Sequence, residues 1–428
     1  MSIETRRARS RPKTAFAKQL SIFALAASLF VETPALAQDT NWIGTWMASP
    51  QPTWGADFAF PTKIPAAVQN QTFRQVIRIS LGGPRFRFVF SNIYGDAPMK
   101  IGAASVAIAG PNATSAIQAV QSLSFGGKES TVILPGAQAV SDPLDMTVAD
   151  GTQLVVSTWL PDKTSLKTFH WDGRATAWFG QGDLTRATTF PAKDKTDARI
   201  LLSEVLVDTT NEGAVVAVGD SITDGNGATI DANTRWPDFL AMRFAPNHIA
   251  VLNAGISGGR LLQDKMGVNA LARLDCDVLT QPNVRAVILL IGINDIAWPG
   301  TAFARQQVRP AAEAMIAGYR QFIALAHARN VRVIGATLTP FEGALSGTPL
   351  DDYYNTDKDA LRLEINRWIR ESGAFDGVID FDRLLRDPAH PARLAPIFDS
   401  GDHLHPGDAG NKAMAGAIDL GVLLGSHP

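Results

Sequence analysis

The sequence predicts an α/β domain preceded by an antiparallel β-sandwich, because its residue pattern changes once along the chain. Before Thr209–Gly213, apolar and polar residues alternate in short runs, most clearly in Arg85–Phe90, and this period of two indicates half-buried strands. After it, nearly continuous apolar runs alternate with long helical patterns, which is typical of a parallel sheet with helices on both faces. We therefore predict a jelly-roll-like sandwich over residues 38–210, the front half, and an α/β domain over residues 211–428, the back half.

The front half contains further runs with strand character. Gly82-Gly83-Pro84 is a turn signal that joins Arg85–Phe90 to the run before it. The other predicted strand regions are Thr72–Leu81, Met99–Ala109, Thr131–Leu134, Leu154–Leu160 and Ile200–Val207.

The back half contains apolar runs that we interpret as parallel strands. These are Ala214–Val218, Ile249–Leu252, Ala286–Ile291, Val331–Ala336 and Gly377–Ile379. Helical patterns cover Phe303–Asn330, broken or kinked around Pro310, as well as Lys358–Ser372 and Gly407–Leu424. Such a sheet carries its ligand site at the carboxyl ends of its strands, so the turns that follow the runs are expected to converge on one crevice.

Residues 1–37 have the pattern of a secretory signal peptide. Six basic residues precede the apolar stretch Leu20–Val31, and Ala35-Leu36-Ala37 is a small-x-small cleavage site. The stretch is shorter than the roughly 20 residues of a membrane helix, so we expect cleavage near Ala37 and no stable membrane anchor. The mature protein is then exported, either to a periplasm or out of the cell.

Composition limits the kinds of partner and cofactor. The single cysteine, Cys276, cannot form an intramolecular disulfide, and a net charge of −2 with 19% charged residues argues against a nucleic-acid partner. The sequence has no His-Glu-x-x-His, no paired cysteines and no phosphate-binding glycine fingerprint, so neither a metal nor a nucleotide cofactor is expected. The expected partner is therefore a small-molecule or polysaccharide substrate. The sequence does not determine the oligomeric state.

Ser221 lies where a nucleophile would be exposed. Gly219-Asp220-Ser221 directly follows the apolar run Ala214–Val218, so Ser221 begins a strand-to-helix turn at the edge of the predicted sheet. Backbone amides at such a turn face the crevice and can stabilise an anion. The alternative interpretation is that Ser221 and Thr223 only cap a helix.

A serine needs a base, and Asp402-His403-Leu404-His405 supplies a candidate near the other end of the chain. A separation of three residues allows the Asp402 carboxylate to fold back onto the His405 imidazole and fix its tautomer. His403 is the nearest competitor, but it lacks this offset from Asp402.

Four separate blocks of the chain resemble the SGNH hydrolases, also called the GDSL family of esterases and lipases. The blocks are Gly219-Asp220-Ser221, Asn253-Ala254-Gly255-Ile256-Ser257-Gly258, Gly292-Ile293-Asn294-Asp295 and Asp402 to His405. The resemblance covers roughly residues 213–424. It implies a three-layer α/β/α domain with a five-stranded parallel sheet, and the front half is loosely similar to domains that precede some secreted members, including relatives of acetylxylan esterases.

The resemblance also implies roles for site residues. Ser221 would be the nucleophile, His405 the general base and then acid, and Asp402 the group that orients His405. The backbone amides of Ser221 and Gly258 and the side-chain amide of Asn294 would form the oxyanion hole, although Gly259 is a rival for Gly258.

Two features outside the blocks are candidate substrate contacts. The cluster Thr168–Asp172, with His170 at its centre, is expected either to pack in the front half or to overhang the crevice. Trp298 follows the asparagine block and is a candidate wall of the pocket. The long connection Phe341–Thr356 is interpreted as a loop that shapes the substrate site or as an inert insertion.

Together these patterns predict an exported serine esterase that hydrolyses carboxylic esters. The expected substrates are short-acyl esters, either acetyl groups on polysaccharide or small aryl and alkyl esters. Two alternatives stay open: an acyltransferase that uses the same triad, and a secreted carbohydrate-binding protein with an idle site.

Overall fold

The computed structural model describes residues 41–110, 120–192 and 194–425. Residues from Asn41 onward form one compact unit. The predicted signal peptide and its cleavage site near Ala37 lie outside the described residues. Among the residues that are described, no helix has the length and apolarity needed to cross a membrane.

The front half folds almost entirely into short strands. In chain order they are β1 (Trp42–Met47), β2 (Gln51–Pro52), β3 (Ala67–Val68), β4 (Gln71–Arg78), β5 (Gly83–Ser91), β6 (Met99–Ile101), β7 (Ala103–Ile108), β8 (Gln121–Ser122), β9 (Thr131–Ile133), β10 (Gln138–Val140), β11 (Leu144–Val148), β12 (Gln153–Leu160), β13 (Thr164–Ser165), β14 (Thr168–His170), β15 (Ala177–Gln181), β16 (Asp194–Thr196), β17 (Arg199–Ile200) and β18 (Leu202–Asp208). One antiparallel sheet has the order β1-β18-β5-β10, with β11 also paired to β5, and the second has the order β16-β15-β4-β12-β7-β8. Three small sheets, β13-β3, β17-β14-β2 and β6-β9, complete this half.

The two large sheets pack face to face, which confirms the predicted β-sandwich. Phe86 and Phe88 of β5 and Leu154 and Val156 of β12 are fully buried in the same core. Strand β5 alternates here as its sequence predicts, since Arg87, between these phenylalanines, is only half-buried. Strands β4 and β5 belong to different sheets, so the predicted turn at Gly82-Gly83-Pro84 carries the chain from one sheet to the other.

The back half is a parallel sheet with helices, as predicted. Its strands are β19 (Gly213–Gly219), β20 (Ile249–Gly255), β21 (Val284–Leu290), β22 (Arg332–Ala336) and β23 (Gly377–Ile379), and its helices are α1 (Ser221–Asp224), α2 (Trp236–Phe244), α3 (Ala270–Leu274), α4 (Ile293–Ala297), α5 (Ala312–His327), α6 (Thr356–Glu371), α7 (Phe381–Leu385), α8 (Asp408–Gly416) and α9 (Leu420–Leu424). The strand order is β20-β19-β21-β22-β23, with all four pairings parallel.

This strand order determines where the site can form. Strand β19 is an interior strand and is buried along its whole length, which explains its uninterrupted apolar sequence. It pairs with β20 on one side and β21 on the other. Because the strands are parallel, the turns that follow β19, β20 and β21 meet at the same edge of the sheet.

Two predicted helices differ from the structure in extent. The pattern over Phe303–Asn330 becomes helical only at Ala312, just after Pro310, and the residues before it form turns. Proline lacks an amide hydrogen and is unfavourable inside a helix, so the helix begins after it. The predicted helix over Gly407–Leu424 is divided into α8 and α9.

The cores of the two halves adjoin. Ala214 of β19 and Ala250 of β20 are buried in the sandwich core, while Met47 of β1 is buried in the core of the back half. The front half is therefore packed directly against the beginning of the parallel sheet.

Candidate active site

Ser221 lies on a tight turn between β19 and α1. A Cβ on Gly219 would lie 2.1 Å from Thr223 Oγ1 and 2.7 Å from the Leu290 carbonyl oxygen, so a glycine is needed for the helix to fold back onto the strand. The Asp220 side chain caps the helix by accepting a hydrogen bond from the Ile222 amide at 3.0 Å. Helix α1 has only four residues, so its dipole is weaker than the sequence pattern suggests.

The structure brings Ser221, His405 and Asp402 into one hydrogen-bonded chain. His405 Nε2 lies 2.7 Å from Ser221 Oγ, and His405 Nδ1 lies 2.6 Å from Asp402 Oδ2. The other Asp402 oxygen accepts from the backbone amides of His405 at 2.8 Å and Leu404 at 3.0 Å. These separations are the hydrogen-bond distances that a nucleophile, a base and an orienting carboxylate require.

The electrostatics of Asp402 favour one protonation state. Burial raises its pKa, but hydrogen bonding and the charge interaction with His405, together with the backbone amides, outweigh burial and lower the pKa well below its ordinary value. An ionised Asp402 accepts the Nδ1 proton of His405. The Nε2 atom is then free to accept the proton of Ser221.

His403 is separated from this chain. Its side chain is about half exposed, and its Nδ1 atom lies 2.5 Å from Asp399 Oδ2. It does not line the cavity beside Ser221. The offset of three residues from Asp402 thus distinguishes His405 from His403 in three dimensions as well.

Gly258 and Gly259 differ in the use of their amides. The Gly259 amide donates to the Ile256 carbonyl at 2.7 Å. The Gly258 amide donates no hydrogen bond within the described residues, and Gly258 lines the cavity. Gly258 also has a φ of +75°, and a Cβ there would lie 2.9 Å from the Trp298 ring. Of the two glycines, Gly258 therefore has the amide that can serve a ligand.

Asn294 lies in α4, which follows β21, and its side chain reaches the cavity. Its Nδ2 atom donates to the Gly259 carbonyl at 2.9 Å, and its Oδ1 atom accepts from the Tyr353 hydroxyl at 2.7 Å. An amide nitrogen carries two hydrogens, so one remains for a ligand. The Gly259 carbonyl can only accept a hydrogen bond, so its contact identifies the end of the Asn294 amide that is the nitrogen.

Tyr353 is a site residue that the motif analysis missed. It lies in a short 3₁₀ turn, Asp351–Tyr353, within the long connection Phe341–Thr356. Burial raises its pKa well above the ordinary value, so the hydroxyl keeps its proton and donates it to Asn294. The only sequence feature that pointed to this part of the site was the unusual length of the connection Phe341–Thr356.

A cavity of about 230 Å³ opens beside Ser221. Its lining is mostly apolar and comes from both halves of the chain. The residues are Ala59, Phe60, Trp171, Ser221, Asn226, Ser257, Gly258, Met266, Asn294, Trp298, Phe303, Leu345, Thr348, Pro349, Leu350, Tyr353, Asp402, Leu404 and His405. Trp298 is thus on the wall, as proposed from the sequence, and the connection Phe341–Thr356 contributes several residues.

His170, a candidate substrate contact from the sequence, is not among the residues that line the cavity. Its Nδ1 atom is 3.0 Å from the Ser49 carbonyl oxygen and its Nε2 atom is 2.9 Å from Asp224 Oδ1. Both ring nitrogens are therefore occupied by protein groups. Its neighbour Trp171 reaches the cavity instead.

The His170–Asp224 pair connects the front half to two blocks of the site. Burial lowers the His170 pKa, but the Asp224 carboxylate outweighs this and the pKa is raised overall. Asp224 lies in α1, and its Oδ2 atom accepts from the amide and the hydroxyl of Ser257, both at 2.8 Å. The pair thereby links the helix that begins at Ser221 to the loop that carries Gly258.

The contact between His170 and Asp224 extends to the residues that follow each of them. Asn226 Nδ2 donates to Asp172 Oδ2 at 3.1 Å, and the Asp231 amide donates to the Arg174 carbonyl at 3.0 Å. We call the pairing of residues 170–176 with residues 224–231 the clamp. It holds the turn after Ser221 against the front half.

Among the described residues, no group of three or more His, Cys, Asp or Glu side chains is arranged to hold a metal ion. The chemistry that the described arrangement supports is that of a serine, a histidine and fixed hydrogen-bond donors.

Asp295, next to Asn294, holds the loop after Gly259. Its carboxylate accepts hydrogen bonds from the Leu261 and Leu262 amides at 2.7 and 2.9 Å.

Part of the chain is similar to known proteins. Residues 217–413 match the model of the GDSL-like Lipase/Acylhydrolase family. No curated protein matches the sequence. Similar solved structures include a GDSL-like lipase from Bacteroides thetaiotaomicron, with 19% identity over 49% of this chain and 88% of that chain and a TM-score of 0.37.

Two further similar structures are esterases. The native aryl esterase of M. smegmatis shares 16% identity over 48% of this chain and 95% of that one, with a TM-score of 0.38. A carbohydrate acetylesterase family member from Sinorhizobium meliloti shares 15% identity over 50% of this chain and 100% of that one, with a TM-score of 0.39. The family assignment follows from the sequence match: the chain carries a hydrolase domain of the GDSL-like lipase/acylhydrolase family, preceded by an antiparallel β-rich region.

Proposed function

We propose that the protein is an exported serine esterase that hydrolyses carboxylic esters through an acyl-enzyme on Ser221. The observation that carries the proposal is the hydrogen-bonded chain from Ser221 through His405 to Asp402 at the edge of an apolar cavity. A serine, a base and an oriented carboxylate are the parts that nucleophilic acyl transfer requires.

In the first step, Ser221 Oγ attacks the ester carbonyl carbon while its proton moves to His405 Nε2. The carbonyl oxygen becomes an oxyanion and accepts hydrogen bonds from the amides of Ser221 and Gly258 and from Asn294 Nδ2. Donors that are already in place need no reorganisation as charge develops, and each typically contributes about 100- to 1000-fold in rate. His405 then gives its proton to the departing alcohol oxygen as the carbon–oxygen bond breaks, which leaves the acyl-enzyme.

In the second step, water attacks the acyl-enzyme and His405 accepts a proton from it. The second tetrahedral intermediate collapses, the bond to Ser221 Oγ breaks, and His405 returns the proton to the serine. The acid is released. Asp402 remains ionised throughout and stabilises the imidazolium that forms in each step.

The proposed substrates are esters with short acyl groups, either small aryl and alkyl esters or acetyl groups on polysaccharide. The size of the cavity favours small groups, since about 230 Å³ lies below the range of drug-sized ligand sites, about 300 to 1,000 Å³.

The mechanism is tested by trapping the acyl-enzyme. Rapid mixing with p-nitrophenyl acetate should give a burst of p-nitrophenol, and mass spectrometry of the quenched protein should show one acetyl group on the peptide that contains Ser221. Ser221→Ala should show neither, whereas Ser122→Ala, an exposed serine on β8, should behave as wild type. An unaffected Ser221→Ala variant would overturn the mechanism.

Hydrolysis and transfer are separated in the same assay. Free acetate should be the main product even when xylose is added as an acceptor. Acetylated xylose as the main product would instead identify an acyltransferase.

The proposal of export rests on the residues before position 38. Expression of the full chain in a Gram-negative host should give mature protein in the periplasm or medium, with an amino terminus at or near Gln38 by mass spectrometry. Full-length protein that stays in the cytoplasm would contradict it.

A further inference from the structure

The cavity beside Ser221 has an aromatic wall that comes from the front half. Phe60 and Trp171 face it from that half, and Phe303 and Trp298 face it from the back half. The Phe60 and Trp171 rings are stacked, with centroids 5.6 Å apart and an interplanar angle of 17°. Phe60 also meets Phe303 edge to face at 4.9 Å, so the wall is continuous across the boundary between the halves.

The indole nitrogens of Trp171 and of its neighbour Trp54 are hydrogen-bonded to the backbone of the front half. Trp171 Nε1 donates to the Pro61 carbonyl at 2.8 Å, and Trp54 Nε1 donates to the Phe60 carbonyl at 2.7 Å. These bonds fix the backbone at Phe60 and Pro61. Since the Trp171 nitrogen is used in this way, the part of the wall that Phe60 and Trp171 form presents apolar ring surface.

Few polar groups in the cavity remain for a hydrated ligand. Outside the proposed acyl-transfer machinery, Asn226 Nδ2 donates to Asp172, Ser257 Oγ to Asp224 and Thr348 Oγ1 to the Leu345 carbonyl. Among the side chains that line the cavity there, this leaves mainly the Asn226 oxygen and the Trp298 indole nitrogen. A sugar ring placed against this wall would have to bury hydroxyl groups without partners, which is unfavourable. An apolar group would meet no such cost.

The cavity is also larger than an acetyl group requires. An apolar protein cavity of about 150 Å³ holds a benzene molecule, and the cavity here measures about 230 Å³. An acetyl group alone would leave most of the ring surface exposed to water. A group of the size of a phenyl ring would cover it.

We propose that the front half determines specificity, because Phe60 and Trp171 form a binding wall for an apolar group of about the size of a phenyl ring on the ester. The preferred substrates are then small aryl or aralkyl esters rather than acetyl groups on sugars. This inference rests on the proposed function and selects one of its two substrate classes.

The test compares esters that differ in the apolar group. We would measure kcat/KM for methyl acetate, phenyl acetate, methyl phenylacetate and tetraacetylated xylose with wild type, Phe60→Ala, Trp171→Ala and Ser221→Ala. In wild type, at least one of the two phenyl-bearing esters should exceed methyl acetate by about 10- to 100-fold, the gain expected from burying a ring of this size. Because phenol is also the better leaving group, the decisive quantity is how this ratio changes between variants.

Phe60→Ala and Trp171→Ala should each lower that ratio by at least about 5-fold, as expected for the loss of an aromatic contact. Trp159→Ala is the matched control, because this half-buried tryptophan of β12 does not line the cavity; it should leave the ratio at the wild-type value. If Trp171→Ala fails to fold, the partly exposed Phe60 still gives the answer.

Unchanged ratios in both wall variants, or a kcat/KM for tetraacetylated xylose above those for both phenyl-bearing esters, would overturn the inference. The proposed function fails separately, when turnover is absent for every ester or persists in Ser221→Ala. If wild type hydrolyses methyl acetate through Ser221 but the ratio depends on neither Phe60 nor Trp171, only the proposed wall is refuted.

Discussion

The two halves of the molecule contribute to the site in different ways. In the back half, Ser221, Gly258 and Asn294 each follow a strand of the parallel sheet, and short sequence blocks identify them. In the front half, Phe60, His170 and Trp171 belong to short strands and their connections, and no block marks them. The comparison indicates that the residues proposed for acyl transfer are marked by local sequence, whereas the support and the shape of the site depend on contacts between distant residues.

The largest expected effect lies in the back half. His405→Ala should lower kcat by about 10⁵- to 10⁶-fold, the loss typical of removing the base of a serine triad. His403→Ala is the matched control from the same loop, and it should change kcat by less than about 3-fold because His403 contacts Asp399 outside the cavity. Equal losses in the two variants, measured with p-nitrophenyl acetate, would contradict the assignment of His405.

The next effect concerns the pair of Asn294 and Tyr353. Asn294→Ala should lower kcat by about 100- to 1000-fold, and Tyr353→Phe by about 5- to 20-fold because the Asn294 oxygen loses its donor. In an Asn294→Ala background, Tyr353→Phe should add less than about 2-fold, since its target is gone.

Tyr319→Phe is the control for this pair. It also removes a buried hydroxyl, one that donates to the Ile291 carbonyl at 2.6 Å in the core, and its effect should be the same in both backgrounds. If Tyr353→Phe lowers kcat by the same factor in the wild-type and Asn294→Ala backgrounds, Tyr353 does not act through Asn294.

A smaller effect is expected in the front half, at the clamp. His170→Asn should lower the free energy of unfolding by about 1 to 3 kcal/mol, because Asp224 is left buried without this partner, and should lower kcat by about 10-fold through the Ser257–Gly258 loop. The exposed pair His327–Asp376, at 2.7 Å, gives the control: His327→Asn should cost about 0 to 1 kcal/mol and leave kcat unchanged. Chemical unfolding and steady-state kinetics measure both.

A normal kcat in a destabilised His170→Asn protein would show that the clamp stabilises the fold without positioning the site. Loss of kcat at unchanged stability would show the reverse. If the variant loses neither stability nor kcat, the clamp is contradicted altogether.

The last comparison concerns the pH dependence of stability, with one buried acid in each half. Burial raises the pKa of Asp220 to about 7 and that of Glu204 to about 7. Each folded-state pKa lies above the ordinary value, so the folded protein binds more protons than the unfolded chain between about pH 4 and 7. The contribution of these groups to stability is present at low pH and is lost as the pH rises through about 7.

Asp220→Asn and Glu204→Gln should therefore each raise the free energy of unfolding above pH 7, by at most about 4 kcal/mol, with little change near pH 4. Asp238→Asn is the control, because this acid is paired with Arg235 Nε at 2.7 Å and should be destabilising at pH 7. A decrease in stability at pH 8 in either buried-acid variant would contradict the sign.

The sequence predicted the parallel sheet well because its strands are buried on both faces and read as unbroken apolar runs. All five runs became strands, whereas the helix expected from Phe303 began only at Ala312. The segment before Ala312 instead brings Phe303 against Phe60 and Trp298, a non-local contact that periodicity does not record.

The same limit applies to His170 and Tyr353. The sequence marked His170 as a candidate substrate contact because it stands in a polar and aromatic cluster. Its actual neighbour, Asp224, is 54 residues away in the chain. Tyr353 reaches Asn294 across 59 residues, and only the three-dimensional arrangement reveals its partner.

The clamp also has a consequence for the order in which the protein matures. Its front segment, residues 170–176, is synthesised before the segment after Ser221 that it holds, so the sandwich can be in place when the serine turn emerges. His405 is 184 residues further along than Ser221 and arrives last. Under the proposed mechanism, a chain that ends before residue 405 lacks the base that activates Ser221, so we expect hydrolytic activity only once the final loop has joined the sheet.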